Sequence, residues 1–447
     1  MTNVDQWTHA APPQWTRGRL KNLIASASNG TWGTEPGKDG SGVHCIRAAD
    51  FDRTKRHART DQAPLRNIDA SSLRHHELQP GDLVLEKSGG GEKQPVGMAV
   101  LFKGPGRAVC SNFCARISPA HYVDSRFLTY VFAAAYSQGL TQAAIKQTTG
   151  IQNLDTGAFL SASWAYPELD EQRRIADFLD AETARIDRLA EARRHQSSLL
   201  NERFEASVFS AVSGQDELSP RTESGPTWLG SVPRDWPVMP VAYQFEVLLG
   251  KMLNQESAHG PHLRQYLRNT NVQWDRIETD DLLLMNFPPE ERKRYTVSPG
   301  DLLVCEGGEP GRAAIWHGQV EEIYYQKALH RVRARGYSSP RWLYYCLRAA
   351  TSLNVFAVEG NATTISHLTG EQLRAHRFAF PQRNTQDRLV ARLDASARTH
   401  EQLKRLLQEQ LVRLTERRQA LITAAVTGQF DVSTASGRNV TDGMPTA

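Results

Sequence analysis

One long segment occurs twice in this chain, and this repeat restricts the fold more than any other feature. The segments 167–214 and 381–428 align at a constant separation of 214 residues without a gap. The residues that are identical in both copies include Pro167 and Pro381, Gln172 and Gln386, Leu179 and Leu393, Asp180 and Asp394, Leu200 and Leu414, and Gly214 and Gly428. A segment that is repeated in strict register is a structural element whose length matters.

Both copies have the features of one long helix. Each begins with Pro and ends with Gly, and neither residue occurs in between. Pro suits the first turn of a helix, and Gly suits the left-handed residue that ends one. Apolar residues recur about every 3.5 positions, which is the spacing of a coiled-coil seam. At 1.5 Å per residue, each helix extends over roughly 60 Å.

The charges of the two helices favour pairing with each other. The first copy is rich in Asp and Glu, and the second carries more Arg and Lys. The alternative is that each is a surface helix of a larger domain, but neither has the wide apolar face that such packing needs. Two paired helices bury little surface, so we predict that their seam residues bind partner chains. These residues are Ile175, Leu179, Ile186, Leu189, Leu200, Leu393, Leu403, Leu407, Leu414 and Leu421.

Length and charge limit the class of protein. A chain of 447 residues is too long for one hydrophobic core and indicates two or three domains. The net charge of +4 permits nucleic-acid binding through local basic patches but does not argue for it. No apolar run is as long as a membrane span, and the first residues do not resemble a signal peptide. We therefore expect a cytoplasmic protein without a membrane partner.

The five cysteines do not indicate a disulfide framework or a metal site. Their number is odd, and no two of them form a CxxC pair. We expect Cys110 and Cys114 to be small core residues of a strand, and we predict no metal site.

The two globular regions are also copies of each other, although more diverged. PGDL occurs at 80–83 and at 299–302, and matched residues follow in the helical stretch 125–137 and around 341–345. The sequence therefore predicts an order of domain, long helix, domain, long helix. We predict these boundaries: a first domain at 1–166, a first long helix at 167–214, a connector at 215–237, a second domain at 238–380, a second long helix at 381–430 and a disordered tail at 431–447.

Three motifs in the second half resemble a known family. They are YLRN with NVQW at 266–274, GDLLVCEGGEPGR at 300–312, and YQKALHR at 325–331. They are similar to the second-domain signature of the specificity subunits of type I restriction–modification systems. The repeat of domain and long helix resembles the same family over nearly the whole chain.

The resemblance implies an α/β (α+β) fold with two target-recognition domains, joined by a long two-helix antiparallel coiled coil with an internal pseudo-two-fold repeat. It implies sequence-specific recognition of double-stranded DNA whose target is bipartite and asymmetric, with one domain per half-site and the coiled coil setting the spacer. It also implies that the chain is not an enzyme and scaffolds two adenine-methyltransferase (modification) subunits, which restriction/translocase subunits join. This chain then needs no cofactor, whereas its partners use S-adenosylmethionine, ATP and Mg.

Basic and amide side chains near Gly-rich loops are the candidate DNA contacts. Arg and Asn form bidentate hydrogen bonds with guanine and adenine edges, and Lys and Arg contact phosphates. The alternative for each is a solvated charge or a plain hairpin turn. The candidates are Arg47, Arg53, Lys55, Arg56, Lys87 and Lys93 in the first domain, and Arg264, Tyr266, Arg268, Asn269, Asn271, Arg312 and Lys327 in the second.

Two other functions are open at this point. The run NFPP at 286–289 superficially resembles the catalytic loop of an adenine methyltransferase, so one alternative is a stand-alone fused enzyme. Phe separates Asn from the prolines, however, and no Gly-rich cofactor loop follows a strand, so we interpret the run as a turn. The other alternative is a coiled-coil adaptor that does not bind DNA, which the basic loops of two diverged domains argue against.

Overall fold

The computed structural model describes residues 10–36, 42–91, 94–104, 106–148, 150–358 and 367–432. They form two compact units. The first unit comprises the described residues up to Arg193 together with those from Glu409 onward, and the second comprises residues 194–408. Each unit contains one globular domain and a part of each long helix. The predicted mixed fold with two domains and two long helices is confirmed.

The first long helix spans Leu169–Ser213, and the second long helix spans Arg383–Val426. A glycine with positive φ follows each of them, Gly214 at 64° and Gly428 at 75°. A Cβ at Gly214 would lie 2.6 Å from Pro233, and one at Gly428 would lie 2.2 Å from Pro12. Both the backbone conformation and the space thus require glycine at these two positions.

The long helices run antiparallel within each unit. In the first unit, Asp187 pairs with Arg418 at 3.0 Å, and the ring of Phe178 lies 5.6 Å from that of Phe430. In the second unit, Asn201 contacts His400 at 2.9 Å and Glu217 contacts Arg388 at 2.8 Å. Glu217 and Phe430 lie just beyond the ends of the long helices. In each unit, the residue number of the contact falls as the residue number along the first long helix and its continuation rises, which defines an antiparallel pair.

The first unit is built around a six-stranded sheet with the order β2-β11-β7-β9-β5-β4. Smaller sheets have the orders β10-β3-β6, β12-β13-β8 and β1-β14. The strands are β1 Thr16–Arg19, β2 Ile24–Asn29, β3 Val43–Ile46, β4 Phe51–Asp52, β5 His57–Ala58, β6 Leu65–Arg66, β7 Leu83–Glu86, β8 Ser88–Gly89, β9 Ala99–Leu101, β10 Ala108–Cys110, β11 Cys114–Pro119, β12 Ile145–Thr148, β13 Ile151–Leu154 and β14 Ser163–Tyr166. The α-helices of its domain are Ala70–His76, Ser125–Ser137, Leu140–Ala143 and Thr156–Leu160, and its 3₁₀ helices are Leu20–Leu23 and Ala48–Asp50.

The second unit repeats this plan with a four-stranded sheet of order β18-β26-β23-β24. Smaller sheets are β22-β19-β25, β17-β27, β15-β16 and β20-β21. The strands are β15 Arg221–Glu223, β16 Ser231–Pro233, β17 Val238–Pro240, β18 Phe245–Leu249, β19 Leu263–Leu267, β20 Val272–Gln273, β21 Arg276–Ile277, β22 Leu283–Asn286, β23 Leu302–Cys305, β24 Ala313–Ile315, β25 Tyr324–Tyr325, β26 Leu329–Ala334 and β27 Arg377–Ala379. The helices of its domain are Val241–Gln244, Gln255–Ala258, the 3₁₀ helix Asn269–Asn271, Pro289–Tyr295, Pro340–Ser352, Val355–Val358 and Gly370–Ala375.

Two of the residue pairs that are identical in the long helices, a glutamine pair and an aspartate pair, attach each domain to its helix. Gln172 accepts a hydrogen bond from the backbone N–H of Asp124 at 3.0 Å. Gln386 accepts one from the N–H of Ser339 at 2.9 Å. Both glutamines therefore bond the N-cap residue of a domain helix.

The repeated aspartates form a second attachment. Asp180 accepts hydrogen bonds from Tyr130 at 2.7 Å and from Arg126 at 3.1 Å. Asp394 accepts the matching bonds from Tyr345 at 2.6 Å and from Arg341 at 2.8 Å. Tyr130 corresponds to Tyr345, and Arg126 corresponds to Arg341, at matching positions of the two domain helices. The repeat is thus retained where a domain meets its helix.

The buried His376 makes the second unit sensitive to acid. Its ring packs between those of Trp228, Phe356 and Phe378, and burial lowers its pKa from 6.5 to about 4. The unfolded chain therefore takes up a proton that the folded chain resists. Keeping His376 neutral therefore contributes about 3 kcal/mol to the free energy of unfolding. This contribution is fully present above pH 6.5 and is lost as the pH falls toward 4.

We expect His376→Gln to reduce the loss of stability on acidification. The measurement is the urea midpoint of unfolding at pH 7 and at pH 5, compared with the exposed-site control His195→Gln. A part of the acid sensitivity persists, because burial also lowers the pKa of His330. If the parent chain, His376→Gln and His195→Gln all lose the same stability between pH 7 and pH 5, His376 does not resist protonation.

Candidate nucleic-acid interface

In each unit, a short 3₁₀ turn stands beside the end of a central strand. In the first unit, the backbone N–H and the guanidinium of Arg47 both donate to Asp50, at 2.9 and 3.0 Å. In the second unit, the N–H of Arg268 donates to Asn271 at 2.8 Å. The side chain of Asn271 is buried, and its amide also donates to the carbonyl of Glu278 at 3.1 Å. Asp50 and Asn271 thus shape the same turn in the two units.

The first unit has a cavity of about 690 Å³ between this turn and the Gly-rich loop that follows β7. It is lined by Ala48, Ala49, Phe51, Arg53, Glu86, Gly90, Gly91 and Gln94. The Arg53 guanidinium pairs with the buried Glu86 at 3.2 Å and contacts the sulfur of Met98 at 3.2 Å. With its amide oxygen turned toward the guanidinium, Gln94 accepts from Arg53 at 2.9 Å. The cavity therefore contains a fixed cation with a carboxylate behind it.

Burial raises the pKa of Glu86, and the positive charge of Arg53 opposes that rise. A carboxylate and a guanidinium in one concave site can accept from an exocyclic amine and donate to a base or phosphate oxygen. Glu86 and Gln94 are the members of this site that our candidate list did not include. The signal in the sequence that marks Glu86 is an acidic residue at the end of a buried, otherwise apolar strand.

The other first-domain candidates lie on the rim of the loop or away from it. Lys87 donates to Asn29 at 2.7 Å, and Lys55 is exposed on the turn between β4 and β5. Arg56, on the same turn, has a positive φ of 54° and is only 7% exposed. Its guanidinium lies over the ring of Tyr130, 5.4 Å from the ring centroid. Burial, followed by the nearby Arg418, lowers the pKa of Arg56 to about 10. Lys93 lies outside the described residues.

The second unit brings together two candidates that are 43 residues apart in sequence. Arg312, at the end of the loop after β23, donates to the backbone oxygen of Asn269 at 3.1 Å. The amide of Asn269 in turn donates to the carbonyl of Gly307 at 2.8 Å. Glu309 of the same loop accepts from the indole of Trp274 at 2.8 Å and lies 3.5 Å from Arg312. The 3₁₀ turn Asn269–Asn271 thus meets the loop after β23, as the corresponding turn and loop meet in the first unit, but through different side chains.

The remaining second-domain candidates surround β19. Arg264 donates to Glu322 at 3.2 Å, and Arg268 donates to the carbonyl of Asp281 at 2.8 Å. Tyr266 is 1% exposed and belongs to a small apolar cluster. The side chain of Lys327 is exposed. DNA contact by any of these residues, and by those of the first domain, stays a prediction.

The predicted partner-binding residues fall into three sets that differ in burial. Ile175, Leu179, Ile186 and Leu421 belong to the core of the first unit, and Leu393 belongs to that of the second. Leu189 and Leu403 are both 44% exposed. Leu200, Leu407 and Leu414 are half-buried. Only the second and third sets present apolar surface that a partner chain is able to cover.

The run at 286–289 does not form an exposed loop. Phe287 is fully buried and stacks on Tyr324 with the ring centroids 4.3 Å apart. Pro288 caps the helix Pro289–Tyr295, and Pro289 is in its first turn. The residues therefore connect a strand to a helix, as the interpretation of a turn predicts.

All five cysteines are free and buried, and Cys110 and Cys114 lie on strands of the first unit as expected. Among the described residues, no group of three or more His, Cys, Asp or Glu side chains is placed to hold a metal ion. Within the same part of the chain, every helix is too short or too polar to cross a membrane.

Comparison with known proteins identifies the class. Residues 70–196 match the family model described as Type I restriction modification DNA specificity domain. The Type I restriction enzyme EcoKI specificity subunit of Escherichia coli (strain K12) is 20% identical over 367 residues, which are 79% of this chain and 76% of that protein.

Two solved structures share the fold. The HsdS subunit from Thermoanaerobacter tengcongensis matches with a TM-score of 0.52 and 16% identity, over 94% of this chain and 98% of that one. A chain of the structure described as "Structural basis underlying complex assembly and conformational transition of the type I R-M system" matches with a TM-score of 0.70 and 16% identity, over 94% and 99%.

The repeated fold and the DNA specificity domain define a DNA-recognition subunit. Over most of its length the chain is similar to the specificity subunits of type I restriction–modification systems, and residues 70–196 match their DNA specificity domain, which confirms the resemblance drawn from its motifs. Such subunits are generally not catalytic. A specificity subunit of this type implies DNA and other subunits of a restriction–modification complex as partners.

Proposed function

We propose that this chain reads a bipartite, asymmetric DNA sequence, with one half-site for each domain. The observation that carries the proposal is the turn-and-loop site that recurs in both units. The first unit places Arg53, Glu86 and Gln94 there, and the second places Asn269 and Arg312. Two sites of one design with different hydrogen-bonding groups suit the reading of two different half-sites.

The proposal includes a spacer role for the long helices. Two readers on one rigid support bind together only when the distance and the phase of the half-sites match the support. We further propose that the chain holds two adenine-methyltransferase subunits, which use S-adenosylmethionine, and that restriction subunits add ATP- and Mg-dependent translocation and cleavage. The chain then acts on cytoplasmic DNA through the chemistry of its partners.

The test is to coexpress the chain with the modification subunit of its own system and to map methylated adenines across the host genome. We expect a two-part motif with a fixed gap of unread base pairs. An uninterrupted motif, or methylation that is independent of this chain, would contradict the proposal. S-adenosylmethionine binding by the purified chain would instead favour a fused methyltransferase.

A domain exchange tests the assignment of one domain to one half-site. We expect that replacing residues 238–380 with the second domain of another specificity subunit changes one half of the methylated motif and leaves the other half and the gap unchanged. The matched exchange of residues 16–166 changes the opposite half. A change in both halves from a single exchange would show that the domains do not read independently.

A further inference from the structure

Each unit pairs one arginine with one glutamate in its turn-and-loop site. In the first unit, Nη2 of Arg53 lies 3.2 Å from Oε2 of Glu86. In the second unit, Nη1 of Arg312 lies 3.5 Å from Oε2 of Glu309. The two glutamates come from different places in the fold, because Glu86 ends strand β7 whereas Glu309 lies in the loop after β23. Both sites therefore contain the same two charges, held by different parts of the domain.

The order of the two charges is reversed between the units. The side chain of Arg53 is 29% exposed and that of Glu86 only 5%, so the guanidinium is the outer group of the first pair. In the second pair, the side chain of Glu309 is 43% exposed and that of Arg312 is 16% exposed. The first unit thus presents hydrogen-bond donors at its surface, and the second unit presents acceptors.

A paired charge is better suited to a base edge than to a phosphate. Attraction to DNA phosphates comes from positive charge that displaces counterions. Glu86 compensates the charge of Arg53, and the outer group of the second site is a carboxylate, which phosphates repel. Each site therefore offers DNA a fixed set of hydrogen-bonding groups with little net charge, and such groups distinguish one base from another in the major groove.

Arg53 keeps donors for a ligand beyond its contacts within the protein. A guanidinium has five N–H donors, and Glu86 and the sulfur of Met98 accept from two of them. The amide oxygen of the exposed Gln94, in the turned orientation described above, lies within 2.9 Å of all three guanidinium nitrogens. Gln94 thus places an acceptor where an acceptor of a base would approach.

Glu309 keeps acceptor sites in the same way. A carboxylate has about four such sites, and the indole of Trp274 uses one of them at 2.8 Å. The guanidinium of Arg312 lies against the other oxygen. These two contacts fix the orientation of the carboxylate, and its exposed part is left to accept a hydrogen bond from a ligand.

We propose that Arg53 reads a guanine in the half-site of the first domain, and that Glu309 reads a base with an exocyclic amine, cytosine or adenine, in the half-site of the second. Arginine donates to O6 and N7 of guanine as a bidentate pair, and a carboxylate accepts from an exocyclic amine. Glu86 and Arg312 are positioning residues, because each acts on the base through its partner. The inference rests on the proposed function, since it takes the two half-sites as ligands.

The experiment for Arg53 uses the full chain coexpressed with its modification subunit, and methylated adenines are mapped across the host genome. Lysine keeps the charge of Arg53 but not its planar fork. We expect Arg53→Lys to reduce discrimination at one guanine of the first half-site by about tenfold, with the second half-site and the gap unchanged. The matched control is Arg74→Lys at an exposed arginine of the helix Ala70–His76, which keeps the parent motif.

Glu309→Gln is expected to act on the other half-site. Glutamine both accepts and donates, so it bonds an exocyclic amine and also a base oxygen. One cytosine or adenine position of the second half-site therefore becomes degenerate, with discrimination reduced by about tenfold, and the first half-site stays the same. Glu290→Gln, at an exposed glutamate of the helix Pro289–Tyr295, is the control and keeps the parent motif.

Glu86→Gln tests the compensation of charge by itself. The variant keeps a hydrogen-bond partner for Arg53 but removes the negative charge, so that Arg53 attracts a phosphate. We expect the slope of log affinity against log salt for non-specific duplex DNA to become steeper by about one. An unchanged slope would show that Glu86 does not neutralise Arg53, which refutes the first-domain part of the inference.

The other outcomes separate the inference from the proposed function. The parent motif in both Arg53→Lys and Glu309→Gln refutes the base contacts but leaves the proposed function intact, because a two-part motif is still methylated. Weaker methylation at every site without degeneracy at one position assigns Arg53 to a phosphate and also refutes its base contact. A parent chain without a two-part motif refutes both. If Arg53→Lys does not fold by circular dichroism, the slope of Glu86→Gln decides for the first domain.

Discussion

Lengthening both long helices by one heptad is expected to lengthen the unread gap of the methylated motif by about three base pairs. A second copy of residues 187–193 after Arg193 and of residues 402–408 after Gln408 keeps the apolar register of the two helices. Seven residues add about 10.5 Å at 1.5 Å per residue. B-DNA advances about 3.4 Å per base pair, so three pairs match the added length with a rotation of about 110°.

The added rotation has two possible consequences, and either of them supports the role of the helices in setting the gap. If the DNA twists or the domains reorient to absorb it, methylation moves to the longer gap; if not, specific methylation falls by at least about tenfold while non-specific DNA binding persists. The control inserts seven Gly and Ser residues after Gly225, where an added Cβ would meet no other group within 4 Å, and is expected to retain the original motif. Full methylation at the original gap by the helix variant would show that the helices do not set the spacing.

Removing the repeated aspartate is expected to destabilise the unit that contains it, and by more in the second unit. Asp394→Ala deprives Arg341 and Tyr345 of their shared acceptor. We expect a loss of about 2–3 kcal/mol, because the partners are largely buried and Asp394 is only 28% exposed. Asp180 is 46% exposed, so we expect Asp180→Ala to cost about 1–2 kcal/mol.

The measurement is equilibrium unfolding in urea. Asp387→Ala is the control, since Asp387 forms an exposed pair with Arg383 one helical turn away and should change the free energy of unfolding by less than about 0.5 kcal/mol. Equal effects of Asp394→Ala and Asp387→Ala would mean that the repeated aspartates do not hold the domains to their helices.

The arrangement of long helices and domains is predictable from the sequence because local patterns encode it. The absence of Pro and Gly over more than forty residues, with a Pro before and a Gly after, defines each long helix, whatever packs against it. The duplicate register then shows that both helices meet equivalent surroundings. The helix Ser125–Ser137 was predictable for the same local reason.

The candidate site was only partly predictable, because charge and residue type do not tell which groups approach one another. Asn269 and Arg312 meet across two separate loops, and Arg53 reaches Glu86 across 33 residues. Arg56 belongs to the same basic run as Arg53, but the positive φ of its turn directs it onto Tyr130. Arg53 and Arg56 are only three positions apart, so the sequence does not distinguish their two environments.

The sequence by itself determined the two long helices, their glycine ends, the repeated aspartates and the family resemblance, because each depends on residues close together or on an exact internal match. Only the tertiary structure decided which residues of the long helices are buried and which are exposed. Periodicity places Leu179 and Leu189 on one stripe, yet Leu179 is buried in the core of the first unit and Leu189 is 44% exposed. The physical reason is that a domain covers only part of a long helix, and how far that cover extends depends on contacts between distant segments.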